Sequence, residues 1–471
     1  MGLQVTKKDV SWNYIAQFFN LGAGVIILPL ILNKLPANEV GLNYLMLSVA
    51  TLVSLTDFGF NGQFGRNISY VFSGAQFLKK EGLDTNHVGT DINYHLLSVV
   101  IETAKFIYKR ISLFALILML TAGTVYIYNA TDGFATVDNT LPIWIIFSFS
   151  TYFQLYFKYY NALLTGSAQI MELNKSIILN KVVYIIVSIV LLLLHCGLFS
   201  IVIAHLISPF AGRIYAYYAF FNKEIKGKLQ NEAPQKTEIL ETYKKLWSNA
   251  RKMGLVFLGA YGVNSSASFI LGINLPLAEI ASYGLMVQLF QIVTSLSNGV
   301  FGSYLPIIYK LRIENNNEGL IRLFSFSNFI STLIGIGGGI VIVFIGPLFL
   351  ELIQSKSVLP ILSVMAIYFL NQVLENFHTI CSNMIVSKNE VPIVKASLIS
   401  GLLMVVGYVA VLQFLPMDLL GIVLVQLIVQ SAYNHWKWPL WILKELHISL
   451  KELYVAGARE SIDRLKNLLI K

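Results

Sequence analysis

Twelve long apolar runs separated by short polar connections constrain this chain more than any other feature. They are Trp12–Asn33, Val40–Asn61, Ile111–Tyr128, Leu141–Leu164, Ser176–Leu194, Leu198–Phe221, Met253–Ile273, Ala278–Ile308, Leu323–Leu348, Val358–Val386, Ala396–Leu415 and Leu419–Leu443. Each is long enough to cross a hydrocarbon layer about 30 Å thick at about 1.5 Å per residue. The runs lack the strict alternation of barrel strands, so each predicts a helix. With 56% hydrophobic and 13% charged residues, the chain has too little polar material to coat a water-soluble surface. An all-α polytopic membrane protein of twelve transmembrane helices is expected. No signal-peptide cleavage site follows the first run, which should remain as a helix.

The basic residues orient these spans. With twelve crossings, both termini share a side. All but two of the 34 lysines and arginines fall on that side, the exceptions being Lys34 and Lys356. The positive-inside rule makes it the cytoplasm, so both termini are expected there. The formal charge of +9 then faces anionic lipid head groups. No separate basic domain exists to bind nucleic acid.

The chain divides into a six-helix lobe (1–221), a cytoplasmic linker (222–250), a second six-helix lobe (251–443) and an amphipathic tail (444–471). The halves carry a faint repeat in one register. Leu35-Pro36 pairs with Leu275-Pro276, Glu39 with Glu279, Leu45-Met46 with Leu285-Met286, and Gly59 and Gly62 with Gly299 and Gly302. Two parallel repeats of six helices are a common transporter plan. Three segments combine apolar residues at helical spacing with nearby cations: Ile92–Ile111, Ile239–Trp247 and Leu450–Leu469. Each reads either as a helix at the head-group boundary or as ordinary packing against the bundle.

Ionisable and amide groups inside spans are costly, so they carry the functional signal. Polar stripes at three-to-four-residue spacing occur at Asn13, Gln17 and Asn20; Asp57 and Asn61; Gln154, Lys158 and Asn161; Gln288, Gln291, Ser295 and Asn298; Asn371, Glu375 and His378; and Gln426, Gln430 and Asn434. His205, Arg213 and Asn264 add to them. One stripe alone reads as a hydrogen bond between packed helices. Together they predict a wet central cavity between the lobes. Arg66, Lys158 and Arg213 would form its cationic portion, suited to phosphate or pyrophosphate. Each of the three also reads as a side chain reaching toward head groups. Asp57 and Glu375 either pair with a basic neighbour or carry a proton or sodium ion. Cys196 and Cys381 read as packing residues, and the seven histidines make no metal-ligand pair at helical spacing. No Walker loop or nucleophile elbow is present, so no catalytic residue, metal or cofactor is expected.

The opening of the chain resembles the oligosaccharide (O-antigen type) flippases of the multidrug/oligosaccharidyl-lipid/polysaccharide exporter superfamily. The residues are Asn20 with Leu28-Pro29-Leu30, Gly41, Asp57-Phe58-Gly59-Phe60 and Arg66. The six-plus-six layout extends the likeness over the spans. The resemblance implies a flippase moving a polyprenyl-pyrophosphate-linked glycan from the cytoplasmic to the outer leaflet by alternating access. It implies a role in polysaccharide or lipopolysaccharide biosynthesis, in a bacterial cytoplasmic (inner) membrane, beside a glycan polymerase and glycosyltransferases. Its expected contacts are Arg66, Lys158, Arg213, Asn20, Gln154, Asn264, Gln288, Gln291, Asn371 and His378, with Asp57 and Glu375 as ion-coupling candidates. Departures are Ser297 in place of Asp57 and Pro306 in place of Arg66 in the second half, and a long connection from Gly74 to Tyr108. The alternative reading is a cation-coupled multidrug antiporter of the same superfamily. A membrane-bound polymerase or ligase would need a large outer loop, and the largest runs only from Asn129 to Thr140.

Overall fold

The computed structural model describes residues 7–78, 91–388, 392–415 and 417–469. Lys79, Lys80 and His87 lie outside them. The described residues form helices α1 (Lys7–Lys34), α2 (Ala37–Ser54), α3 (Phe60–Phe72), α4 (Tyr94–Leu118), α5 (Thr124–Ala130), α6 (Thr140–Phe157), α7 (Tyr159–Gly166), α8 (Ile170–Leu193), α9 (Phe199–Phe220), α10 (Lys223–Leu229) and α11 (Lys236–Asn264). The chain continues through α12 (Ser266–Asn274), α13 (Leu277–Ile313), α14 (Asn317–Ile340), α15 (Gly346–Leu352), α16 (Leu362–Val386), α17 (Val394–Phe414), α18 (Asp418–Ala432), α19 (Asn434–Glu445) and α20 (Leu450–Leu469). There is no strand among the described residues. The architecture is that of an all-α polytopic membrane protein. Among the described residues, seven stretches are long and apolar enough to cross a membrane, or eight if the pair α11 and α12, bent by 53° at Ser265, is one span.

Four predicted spans are interrupted, which corrects their expected continuity. The second breaks at Phe58 and Gly59, and its helix then runs on to Phe72. The fourth breaks at Lys158, the seventh at Ser265 and the twelfth at Tyr433. The tenth starts at Leu362 and not at Val358. Periodicity does not register such breaks, because apolar residues flank them on both sides.

The chain forms two compact units, Met1–Leu258 and Gly259–Lys471. The boundary falls within α11. The 222–250 segment packs into the first unit, where Ile225, Leu246 and Ala250 join the core. That core gathers Phe60, Phe64 and Ile68 of α3, Ala104, Ile107 and Tyr108 of α4, Leu163 of α7 and Phe220 of α9. Two of the three amphipathic segments are therefore bundle packing: α4 runs unbroken from Tyr94, and Leu246 is 3% exposed. The core of the second unit gathers Phe301, Ile308, Phe324, Ile380, Met384, Trp438, Ile442 and Leu453.

The repeat is visible in backbone detail. Pro36 and Pro276 each begin a helix with nearly the same torsions, φ −58 and ψ 153 against φ −59 and ψ 149. Proline suits that place because the first N–H groups of a helix have no intrahelical acceptor. Among the described residues each unit also contains one π-helical segment, Met119–Gly123 between α4 and α5 and Val341–Ile345 between α14 and α15. Such insertions are rare outside functional or strained positions. Side-chain caps fix other starts: Asn93 accepts from the Leu96 N–H, Asn222 from Ile225 and Asn316 from Gly319, each at 2.9 Å. The halves differ where the repeat pairs Asp57 with Ser297. Asp57-Phe58-Gly59 breaks its helix, whereas Ser297, Asn298 and Gly299 lie inside the unbroken α13. Ser297 and Ser331 instead exchange hydrogen bonds, each hydroxyl donating to the other's carbonyl at 3.1 and 2.6 Å.

Candidate functional site

In the first unit the polar groups collect at the helix breaks. Phe58 has φ 46 and Gly59 φ 78. A bulky residue in the left-handed region is uncommon and strained. The neighbouring α11 receives it: the Trp247 ring meets Phe58 edge-on at 5.4 Å, and Gly254 leaves the space beside it. A Cβ at Gly254 would overlap the Phe58 ring. This turn places Asp57, 5% exposed, between two donors. Tyr108 of α4 donates its hydroxyl to Oδ1 at 2.8 Å, and Lys158 Nζ donates to Oδ2 at 2.6 Å. Lys158 is itself the joint between α6 and α7. The ion pair therefore ties two helix breaks together.

Aromatic rings extend from this pair to Arg213. Tyr108 and Tyr159 have ring centroids 6.4 Å apart, and Tyr159 stacks on Tyr160 at 4.3 Å. The Arg213 guanidinium lies 5.4 Å from the Phe157 ring and 5.7 Å from Tyr160 and Tyr217. Its Nε is buried with no hydrogen-bond partner, and no carboxylate among the described residues pairs with it. Cation–π contacts hold such a group without neutralising it. Arg66 is exposed and bonded to Gln63 of its own helix.

In the second unit Glu375 sits between two imidazoles. His378 Nδ1 lies 3.2 Å from Oε1, and His435 Nε2 lies 3.3 Å from Oε2. His435 is the second residue of α19, just after the break at Tyr433, and its Nδ1 lies 3.1 Å from Ser431 Oγ. Beside it, Asn434 donates to Ser400 Oγ at 2.9 Å and to Gln430 Oε1 at 2.6 Å, and accepts from Trp438 Nε1 at 3.0 Å. One turn from Glu375, Asn371 is buried with its Oδ1 unpartnered. A buried acceptor of this kind suits water or a ligand hydroxyl. The arrangement can hold and exchange a proton between a carboxylate and two rings. No group of three metal-ligating side chains capable of holding an ion occurs among the described residues.

The remaining sequence candidates are dispersed. Gln154 is exposed and donates to Ser150 Oγ at 3.2 Å. Asn264 is exposed and donates to the Ala260 carbonyl at 3.0 Å, just before the bend at Ser265. Gln288 is half-buried and Gln291 exposed, both on α13. The side chain of Asn20 lies outside the described residues. Two members of the clusters, Tyr108 and His435, were missed by sequence reasoning. Ser431 and His435 do stand four apart beside the Asn434 stripe, a spacing that could have flagged them. Tyr108 carries no local signal, because its partner Asp57 is distant in sequence.

No family model and no curated protein matches the sequence. Solved structures do match. An inward-facing multidrug resistance MATE family transporter of the MOP superfamily aligns with TM-score 0.65 at 15% identity, covering 94% of this chain and 99% of that one. The lipid II flippase MurJ, in an inward closed conformation, aligns with TM-score 0.60 at 11% identity, covering 98% and 92%. The MATE multidrug transporter DinF-BH aligns with TM-score 0.60 at 14% identity, covering 96% and 97%. The chain thus has the fold of MOP superfamily transporters over nearly its whole length. At these identities the likeness is one of fold.

Proposed function

We propose that this chain is a flippase that moves a polyprenyl-pyrophosphate-linked oligosaccharide from the cytoplasmic to the outer leaflet by alternating access. The observation that carries the reading is Arg213, a guanidinium in a predicted span held by three aromatic rings and by no carboxylate among the described residues. A pyrophosphate offers the charge-assisted hydrogen bonds that its buried Nε lacks. The rings around it offer apolar faces to sugar C–H groups. Arg66, exposed on α3, is the second cation of the proposed site. Lys158 is engaged by Asp57, so an arriving phosphate would compete with that carboxylate. A lipid II flippase among the structural neighbours supports the substrate class. An inside-negative potential favours outward movement of the anionic head group by about 2.3 kcal/mol per charge per 100 mV.

The test is a deletion strain analysed by lipid extraction and mass spectrometry, with an assay of surface polysaccharide. Accumulated lipid-linked glycan and missing surface polymer, both restored by the wild-type gene and not by Arg213→Ala or Arg66→Ala, are the expected results. Normal export by both variants removes the cationic-site reading.

One observation favours a second reading, a cation-coupled multidrug antiporter. Glu375 between His378 and His435 has the make-up of a proton site, and two structural neighbours are multidrug transporters. An unchanged lipid pool, with pH-driven dye efflux from vesicles that Glu375→Gln abolishes, would establish it in place of the flippase.

A further inference from the structure

Where α15 ends and the chain turns back into α16, the second unit holds a cavity of about 630 Å³. That volume lies within the roughly 300–1,000 Å³ usual for small-molecule sites. Its walls come from Val343 of the π-helical segment, from α15, from the 353–361 connection and from the start of α16. The connection folds back closely: a Cβ at Gly346 would lie 3.0 Å from Leu359 Cδ1. The cavity is distinct from the Glu375 cluster. Met365, its last wall residue along α16, precedes Glu375 by ten residues, about 15 Å of helix. The distribution of lysines and arginines predicts that this end of the unit faces outward.

The walls change character with depth. Val343, Leu350 and Met365 are buried and apolar. Glu351, Gln354, Ser355 and Ser357 form a polar end. Glu351 stands one residue before the end of the Asn317–Leu352 span, and Val343 lies eight residues deeper, about 12 Å along the helix. Near the polar end Leu352, Val358 and Ile361 are 80%, 69% and 69% exposed. In a spanning protein such apolar side chains face acyl chains. The occupant that matches is therefore an amphiphile from the leaflet, with its head at the boundary and its apolar body running inward.

The polar end selects the head. Ser355 Oγ is already engaged, donating to the Ser357 carbonyl at 2.6 Å and accepting from the Ser357 N–H at 3.2 Å. Ser357 itself is 3% exposed, and its Oγ is buried with no hydrogen-bond partner. A buried hydroxyl left in that state costs free energy that a ligand donor or acceptor recovers. Glu351 is exposed, and no ion pair engages it among the described residues. A carboxylate beside amide and hydroxyl acceptors calls for a cationic head with N–H donors. A primary ammonium has three such donors, whereas a trimethylated one has none. Lys356, the one other charge between Gly346 and Met365, keeps this end from repelling the phosphate of the same lipid.

We propose that this cavity binds one aminophospholipid of the adjoining leaflet. Its ammonium sits against Glu351 and Gln354, its polar linkage reaches Ser357, and its apolar portion packs on Val343, Leu350 and Met365. The site is independent of the transported substrate.

The test uses the full chain, delipidated in detergent and titrated with phosphatidylethanolamine, phosphatidylcholine or phosphatidylglycerol. Native mass spectrometry reads lipid retention, and thermal unfolding reads stabilisation. Wild type should retain one phosphatidylethanolamine more tightly than either other lipid. Glu351→Gln should lower that affinity by about tenfold, the low end for hydrogen bonds to a charged group because the carboxylate is exposed. It should also erase the preference over phosphatidylcholine while leaving the lipid-free midpoint unchanged, which separates loss of ligand from loss of fold. Ser357→Ala should weaken phosphatidylethanolamine by a smaller factor. Leu362→Trp, at an exposed wall position, should weaken all three lipids by crowding the cavity. Leu348→Trp, exposed on α15 outside the walls, should weaken none. Equal retention of phosphatidylethanolamine and phosphatidylcholine by wild type, a preference for phosphatidylglycerol, or an unchanged preference in Glu351→Gln overturns the proposal.

Discussion

Lys158 Nζ stands 2.6 Å from Asp57 Oδ2, and each of these residues sits at a break in its own helix. Removing one partner of a buried pair leaves the other charge uncompensated, which costs more than the pair contributes. Lys158→Met should therefore destabilise the protein by about 2 kcal/mol, reduced from the fully buried range because the lysine is partly exposed. Asp57→Asn combined with Lys158→Met should recover much of that loss. Thermal unfolding of the two single variants and the double variant measures the coupling. Additive losses would mean that the pair does not hold the breaks.

Arg213 separates charge from geometry. Arg213→Lys keeps a cation but loses the planar fork and changes the cation–π contacts with Phe157, Tyr160 and Tyr217. Transport by the lysine variant should fall at least tenfold, and by Arg213→Ala further, while protein level stays close to wild type. Complementation of the deletion strain, with quantitation of membrane protein, reads both.

The second unit contains a close crossing of α11 and α17. A Cβ at Gly262 would lie 2.7 Å from Gly401 Cα, and one at Gly401 would lie 2.7 Å from the Gly259 carbonyl oxygen. Small residues let helix backbones approach where lipid supplies no hydrophobic drive between helices. Gly401→Leu should cost roughly 1–3 kcal/mol through forced separation. A lower midpoint in thermal unfolding is the readout. Val409→Leu, at an exposed position of the same helix, serves as the comparison and should leave the midpoint close to wild type.

At the polar start of α4, beyond the predicted span, His95 bonds to two carboxylates, Nδ1 to Glu232 and Nε2 to Glu238, each at 2.9 Å. The hydrogen bonds to Glu238 and Glu232 raise its pKa above the ordinary value near 6.5. Nearby charges include Asp91 and Glu224 around Tyr94, and Lys228, which lies over the Tyr94 ring. A raised folded-state pKa gives stabilisation that is complete below about pH 6.5. It is lost as pH rises through the higher folded value. Amide exchange in 230–238, corrected for intrinsic rate, should accelerate as pH climbs from 6 toward 9. His95→Gln should abolish that dependence.

Much of the fold was legible because bilayer physics writes itself into composition. A span must be long and apolar, and Pro36 and Pro276 mark equivalent helix starts in both halves. Of the clusters, the i, i+3 pair Glu375 and His378 could be read from one helix. Asp57 and Lys158 were each visible as polar intruders, but their pairing was not, because nothing in the order of residues tells which two intruders meet. Arg213 was visible as a cation in a span with Tyr217 one turn on, whereas its other two aromatic neighbours, Phe157 and Tyr160, come from α6 and α7.

The sequence by itself determined the solvent, the helical class, the number of predicted crossings and the positions of the costly polar groups. Each of these follows from local length, hydropathy and charge. Only the tertiary structure decided where helices break, which charges neutralise each other and which residues line a cavity. Those outcomes depend on contacts between distant segments: Gly254 makes room for Phe58, Tyr108 reaches Asp57, and His435 arrives at Glu375 across a helix break. Their energies belong to pairs of segments and so are absent from any one segment's periodicity.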